Sequence, residues 1–100
     1  MKEQESLIDL TQRLIQLAPD RLSLIGAGIM VAAELGLARD SRTFARNMEL
    51  AHSLVIRECV TLADELGLIK IESCDFRTQR QFYNLTDLGQ AMVRKSSYYL

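Results

Sequence analysis

The most constraining feature of this chain is a junction in its second half, where helical periodicity gives way to strand periodicity across one glycine. Before the junction, apolar residues recur at the spacing of one buried helix face, and these are Val55, Cys59, Leu62 and Leu66. Gly67 follows, and glycine tolerates the left-handed conformation that often closes a helix. After Leu68, the residues IKIE at 69–72 alternate apolar and charged side chains as a half-buried strand does. The junction therefore predicts a helix that leads into a strand and, after a polar tip, a second strand.

A first helix is predicted within residues 1–18, beginning at Ser6 or Leu7 and ending before Pro19, which interrupts helices. Its apolar residues follow the spacing of a coiled-coil seam, and these are Leu7, Leu10, Leu14 and Leu17. One interpretation is a helix packed on its own domain. The other is a dimerisation helix, because the apolar stripe is wider than one small domain requires. We predict the second, with help from Tyr98 and Tyr99 at the other end of the chain.

A second helix is predicted over residues 21–35, where Asp20 provides a cap and Gly36 a stop. Gly26 and Gly28 leave a flat surface on this helix for the close approach of another one. Packing explains these glycines better than a phosphate loop does, because no strand precedes them and no lysine or threonine directly follows.

A short third helix is predicted from Asp40 or Ser41 to about Met48, and a last one after the hairpin. Thr86 suits the cap of the last helix, since threonine side chains accept hydrogen bonds from the first amides of a helix. Its inward-facing residues are predicted to be Leu88, Ala91 and Met92. The whole chain, residues 1–100, is then expected to form one domain.

Composition places the chain among globular proteins. Of its 100 residues, 48% are hydrophobic and 25% are charged, which favours a soluble domain with its own core. The longest apolar run, residues 22–33, is shorter than the roughly 20 residues that a membrane span needs. The first residues are polar and do not have the pattern of a signal peptide. We therefore expect a cytoplasmic protein without a membrane partner.

The charge is distributed unevenly along the chain. The net charge is −1, which taken alone weighs against binding to nucleic acid. Four arginines nevertheless fall within residues 39–57, against Asp40 and Glu49, and two more fall in the polar tip between the strands. These arginines are Arg39, Arg42, Arg46, Arg57, Arg77 and Arg80. The positive charge is concentrated in segments that could face one phosphate backbone.

The residues that usually carry catalysis are sparse. His52 is the single histidine, and Cys59 falls on the predicted inner helix face, where it would behave as a small apolar residue. Cys74 lies near the tip, and a redox role for it is the alternative to a structural one. Two cysteines without C-x-x-C spacing make no zinc site. We expect a protein that is not an enzyme and that holds neither metal nor cofactor.

Three segments resemble winged helix-turn-helix regulators of the MarR and PadR type. They are FARNMELAHS at 44–53, LADELGLI at 62–69 and YNLTDLG at 83–89, and DFR at 75–77 is similar to the Asp-x-Arg of the MarR wing. The resemblance covers residues 39–93. It implies a mostly α fold with a small β-wing (α+β). The helix-turn-helix and wing would occupy residues 39–85, and a C-terminal helix residues 86–100.

The resemblance also implies a function. Such a protein would be a sequence-specific transcriptional regulator that binds double-stranded DNA, as a homodimer, with the helix from Ser53 in the major groove. The residues implied to read bases are His52, Ser53, Leu54 and Arg57. Those implied to hold phosphates are Arg42, Arg46 and Asn47, and those of the wing are Arg77, Thr78, Gln79 and Arg80. No small-molecule effector is identified by the sequence.

A different class of function remains open on the same fold. Winged helices also serve as protein–protein interaction modules, so fold alone does not decide between adaptor and regulator. Leu54 and Ile56 flank the expected reading face and are unusually apolar for it. A continuous positive face around Ser53 and Arg77 would favour DNA, whereas an apolar patch around Leu54 and Ile56 would favour a protein partner.

Overall fold

The computed structural model describes the backbone of residues 2–97 and the side chains of residues 7–96. Its elements in chain order are α1 (Lys2–Leu17), α2 (Leu24–Glu34), α3 (Ser41–Met48), α4 (His52–Val60), β1 (Ile69–Asp75), β2 (Arg80–Leu85) and α5 (Asp87–Ser97). Helix α4 continues into one π-helical turn, Thr61–Glu65. Five α-helices and an antiparallel hairpin make an α+β fold that is consistent with a winged-helix-like topology. Tyr98 and Tyr99, predicted to contact a partner, lie outside the described residues.

Helix α1 packs on its own chain, against α2 and α5. It begins at Lys2, so Ser6 lies inside the helix and is not its cap. Leu7, Leu10 and Leu14 are buried in the core of the single chain, with Leu14 completely inaccessible. Leu17 is half-buried against the same core. The leucine stripe of α1 therefore packs on its own domain, as in the first of the two interpretations above.

Helix α2 is the centre of the core, with eight consecutive buried residues from Gly26 to Ala33. The prediction that Asp20 caps it is wrong, because Leu22 and the residues before it turn back onto Ala18. Ser23 is the cap, and its Oγ accepts a hydrogen bond from the Gly26 amide at 2.9 Å. A Cβ on Gly28 would lie 3.3 Å from the ring of Phe44, so this glycine permits close helix packing as expected.

A three-residue turn connects α3 to α4. Asp40 caps α3 as predicted, with its Oδ2 accepting from the Thr43 amide at 2.8 Å. The helix closes at Glu49, which takes a left-handed conformation (φ 55°), and the Leu50 amide donates to the Ala45 carbonyl at 2.9 Å. Phe44 and Ala45 are buried beneath this turn.

The predicted junction at Gly67 is confirmed. This glycine has a left-handed conformation (φ 64°), and the Leu68 amide donates back to the Leu62 carbonyl at 2.9 Å. Strands β1 and β2 then pair antiparallel, with an irregularity in register between Ile71 and Ser73. Asp40, just before α3, forms an isolated antiparallel bridge with Phe82 of β2. The hairpin is thereby attached to the start of α3.

Helix α5 follows the hairpin with Thr86 as its cap, as predicted, since Thr86 Oγ1 accepts from the Gly89 amide at 3.1 Å. The predicted inner face is wrong in part, because Leu88 is 56% exposed and Ala91 is also exposed. The reason is the close approach of the helix to Leu68, whose carbonyl oxygen occupies the space that a Cβ on residue 89 would need. This contact rotates Gly89 and Val93 inward and Leu88 outward.

Candidate nucleic-acid interface

The start of α3 is fastened to β2 by a group of polar contacts that we call the clasp, formed by Asp40, Ser41, Arg80 and Gln81. The Arg80 guanidinium contacts both carboxylate oxygens of Asp40, with Nε 2.9 Å from Oδ2 and Nη2 3.3 Å from Oδ1. The Gln81 amide donates to Ser41 Oγ at 2.9 Å. Two-point contact between a guanidinium and a carboxylate fixes direction as well as distance. The clasp therefore sets how the hairpin is oriented relative to α3.

Asp40 is the central acceptor of the clasp and is almost completely buried. Burial alone would raise the pKa of its carboxyl, but hydrogen bonds from Arg80 and from the Thr43 amide outweigh burial, so the pKa lies below its usual value. Removing the side chain of Asp40 would cost both the helix cap and the contact with Arg80.

His52, the first residue of α4, extends the clasp to the next helix. Its Nε2 lies 2.8 Å from Ser41 Oγ, which joins the starts of α3 and α4. Burial lowers the pKa of His52, and the nearby guanidiniums of Arg42 and Arg80 lower it further, against a smaller opposing effect of Asp40. The imidazole is therefore neutral near pH 7. This half-buried ring faces the clasp, so it positions α4 more directly than it could read a base.

Helix α4 has one exposed face, opposite the buried Val55 and Cys59. Ser53, Arg57 and Val60 are exposed on it at spacings of four and three residues. The guanidinium of Arg57 makes no hydrogen bond or ion pair with the described part of the chain. Leu54 and Ile56, at the edges of this face, are half-buried.

The proposed phosphate-holding residues of α3 are all exposed, and these are Arg42, Arg46 and Asn47. Neither arginine forms a hydrogen bond or ion pair within residues 7–96. Arg42 is close enough to His52 to affect its pKa, so it lies beside the first turn of α4. The structure therefore brings one of these arginines next to the start of the expected reading helix.

The four wing residues named by the sequence do not share one environment. Arg77 and Gln79 are exposed, and Gln79 has a left-handed conformation (φ 64°). Thr78 is half-buried and accepts a hydrogen bond from the Arg80 amide at 3.2 Å. Arg80 is held in the clasp, and its guanidinium carbon also lies 4.9 Å from the centre of the Phe82 ring. Of the two wing arginines, only Arg77 extends from the tip.

Sequence reasoning missed the most exposed large apolar side chain of the described residues. Phe76, at the tip of the hairpin, is 90% exposed. The signal was present in the DFR segment, where an aromatic residue interrupts an otherwise polar tip. An apolar patch around Leu54 and Ile56, which would favour a protein partner, is not formed. The large exposed apolar side chains of the described residues are Ile8, Leu24, Leu35, Val60, Phe76, Phe82 and Leu88.

Two of those side chains border an apolar groove of about 360 Å³ between α1, α2 and the turn after α3. Ile8 and Leu24 form its rim, at 57% and 64% exposure, and Phe44, Met48 and Leu50 lie among its lining residues. Since Met48 ends α3 and Leu50 lies in the connection to α4, the groove borders the turn between these two helices.

The two cysteines differ in accessibility. Cys59 is buried as predicted, and burial, with a smaller effect of Glu58, raises the pKa of its thiol to about 12. Cys74 is exposed on β1. No cluster of three or more metal-binding side chains occurs within the part of the chain that the structure describes. None of the described helices is long and apolar enough to cross a membrane.

The chain matches no protein-family model, and neither curated proteins nor solved structures gave a significant match to it. A functional proposal must therefore rest on the residues of this chain, namely the clasp, the exposed face of α4 and the tip of the hairpin.

Proposed function

We propose that this protein is a sequence-specific DNA-binding transcriptional regulator of the winged helix-turn-helix kind, similar to the MarR and PadR types. Helix α4 is the reading helix and the β1–β2 hairpin is the wing. The observation that carries the proposal is the clasp, which attaches the hairpin to α3 and α3 to α4 through Asp40, Ser41 and His52. Around this frame lie arginines whose guanidiniums have no partner among residues 7–96, and these are Arg42, Arg46, Arg57 and Arg77.

In this mechanism α4 enters the major groove with its first turns toward the base edges. Arg57, about one turn into the helix, makes a bidentate contact with a guanine, and Ser53 offers a hydroxyl to a neighbouring base. Leu54 contacts a thymine methyl group at the edge of the same face. His52 and Arg80 are positioning residues, because both are engaged in the clasp.

The phosphate contacts come from α3 and from the tip of the hairpin. Arg42, Arg46 and Asn47 bind one stretch of backbone, and Arg77 binds another across the groove. Such contacts fix register without reading sequence. Three arginine contacts per protomer predict that log K falls with log salt concentration with a slope of about −3 for each bound protomer.

We also propose that two copies bind together, since one protomer offers few phosphate contacts. Leu7, Leu10 and Leu14 are used in the core of one chain, so the contact surface in this proposal is the rim of the groove at Ile8 and Leu24. Sedimentation of Ile8→Glu should show a monomer under conditions in which the wild type is a dimer. A wild type that is monomeric at tens of micromolar, well above typical regulator concentrations, contradicts this part of the proposal.

The second candidate is a protein-interaction module, and the groove is the observation that favours it. Its apolar lining and exposed rim suit an amphipathic helix of a partner, and the net charge of −1 suits a protein better than a polyanion. In this alternative Ile8→Glu and Leu24→Glu abolish the interaction, while Arg57→Ala has no effect.

Selection from a random duplex library at low and moderate salt decides between the two. The proposal predicts that wild-type protein enriches a common motif and binds it with the salt slope given above. Failure to enrich any motif, together with a slope near zero, would reject the DNA-binding function and leave the interaction module.

A further inference from the structure

The tip of the hairpin presents one aromatic ring to solvent in a way that the fold does not require. Phe76 is 90% exposed, whereas Phe82 of β2 is 38% exposed and has Arg80 over its ring. Phe76 thus contributes nothing to the core. An exposed aromatic ring at the end of a projecting hairpin is typical of a contact residue rather than of a structural one.

The turn that carries this ring is held by its own hydrogen bonds. Asp75 Oδ1 accepts from the Arg77 amide at 2.9 Å, and the Asp75 carbonyl accepts from the Gln79 amide at 2.7 Å. Thr78 Oγ1 accepts from the Arg80 amide at 3.2 Å. The tip is therefore ordered before it meets a partner, and little conformational entropy is lost when it does.

The hairpin is long enough to reach into a groove of DNA. Its last backbone attachment to α3 is at Gln81, whose amide donates to Ser41 Oγ and which pairs with Cys74. Phe76 lies two residues beyond Cys74, so at about 3.3 Å per residue the backbone of the tip projects about 7 Å beyond that attachment. The minor groove of B-DNA is about 7.5 Å deep. With the length of its own side chain added, the exposed ring of Phe76 can reach the floor of the minor groove.

The charged groups beside Phe76 also suit contact with the minor groove. The guanidinium of Arg77 is exposed and forms no hydrogen bond or ion pair within the described residues. The Asp75 carboxylate, the one acidic group of the tip, is turned toward the Arg77 amide. Apolar wedges such as phenylalanine, accompanied by arginine, are what proteins insert between base steps from the minor groove.

We propose that Phe76 inserts between two base pairs from the minor groove beside the major groove occupied by α4, and that it kinks the duplex. Arg77 contacts the adjacent phosphate and holds the ring in place. This inference rests on the proposed DNA-binding function and adds to it that the site must be deformable. Flexible pyrimidine–purine steps at the position of the tip are then favoured without any hydrogen bond to a base.

The test uses the full chain and a duplex chosen by the random-library selection, labelled at both ends for energy transfer and carrying 2-aminopurine at the expected step. Wild type should bend the duplex by between about 20° and 90° and raise the 2-aminopurine fluorescence as the base unstacks. Phe76→Ala should lose most of the bend and bind about tenfold more weakly. Phe76→Leu should keep the bend, since leucine also acts as a wedge.

The outcomes separate the wedge from the DNA-binding function itself. A wild type that binds its selected duplex without bending it overturns the wedge and leaves the regulator intact. A Phe76→Ala variant that bends the duplex as the wild type does also overturns the wedge and leaves the regulator intact. It would assign the ring to a protein partner. A wild type that selects no duplex overturns the proposed function, and the wedge with it. Because Phe76 is exposed, its variants should unfold at the same urea concentration as the wild type.

Discussion

Arg80 and Arg77 are three residues apart in one hairpin, yet their surroundings differ completely. Arg80 is engaged by Asp40 and lies over the Phe82 ring, whereas Arg77 extends from the tip without a partner among the described residues. The first arginine stabilises the frame and the second is available to a ligand. Two arginines of the same hairpin thus have different roles. The groups that the fold places beside each side chain decide which role it has.

The largest expected effect is a loss of stability when the clasp is mutated. Asp40→Ala removes the cap of α3 and leaves Arg80 without its acceptor, so the free energy of unfolding should fall by about 2–3 kcal/mol. Asp40→Asn keeps a capping side chain and should cost about half as much. Arg77→Ala, at the exposed tip, should stay within about 0.5 kcal/mol of wild type. Urea unfolding measures all three variants. Equal midpoints for Asp40→Ala and Arg77→Ala would refute the assignment of a structural role to the clasp and not to Arg77.

The next-largest effect is on DNA binding, and here the exposed Arg77 matters more than the arginine of the clasp. Arg77→Ala should reduce the magnitude of the salt slope by about one, because it removes one phosphate contact. Arg80→Ala should leave the slope unchanged while it lowers stability, since its guanidinium already has a carboxylate partner. The measurement is a salt titration on one duplex, at a temperature where both variants are folded. A smaller slope for Arg80→Ala would show that the clasp opens on binding.

The smallest expected effect concerns pH and His52. The pKa of this histidine in the folded protein is lowered from 6.5, mainly by burial, so the unfolded chain binds the proton more readily. The contribution of neutral His52 is therefore fully present above about pH 6.5 and is lost as pH falls through the lower folded value. Urea midpoints at about pH 7.5 and about pH 5.5 should differ less for His52→Gln than for wild type. An identical pH dependence would exclude His52 as a titrating member of the clasp.

Local signals predicted much of this fold correctly. The helix stop at Gly67 and the caps at Asp40 and Thr86 depend on residues within one or two turns, and each is confirmed. Asp20 failed as a cap because the turn after Pro19 delays α2, and Ser23 takes the role. The failure shows that a cap residue can be predicted only together with the turn before it.

Features that depend on distant contacts could not be predicted from the sequence. The leucine stripe of α1 identifies an apolar face, but periodicity does not say whether the same chain or a second copy covers it. Arg80 and Asp40 are 40 residues apart, and no local pattern reports their contact. The exposure of Leu88 follows from the approach of Gly89 to Leu68, which is likewise a tertiary contact.

The most direct test of the account is the effect of Arg57→Ala on two duplexes, one selected by the wild type and one with the same composition in scrambled order. Arg57→Ala should weaken binding to the selected duplex by about 1–3 kcal/mol and change binding to the scrambled duplex much less. Arg21→Ala, an exposed arginine in the turn before α2, is the matched control and should change neither. Equal effects of Arg57→Ala on both duplexes would contradict the assignment of α4 as the reading helix.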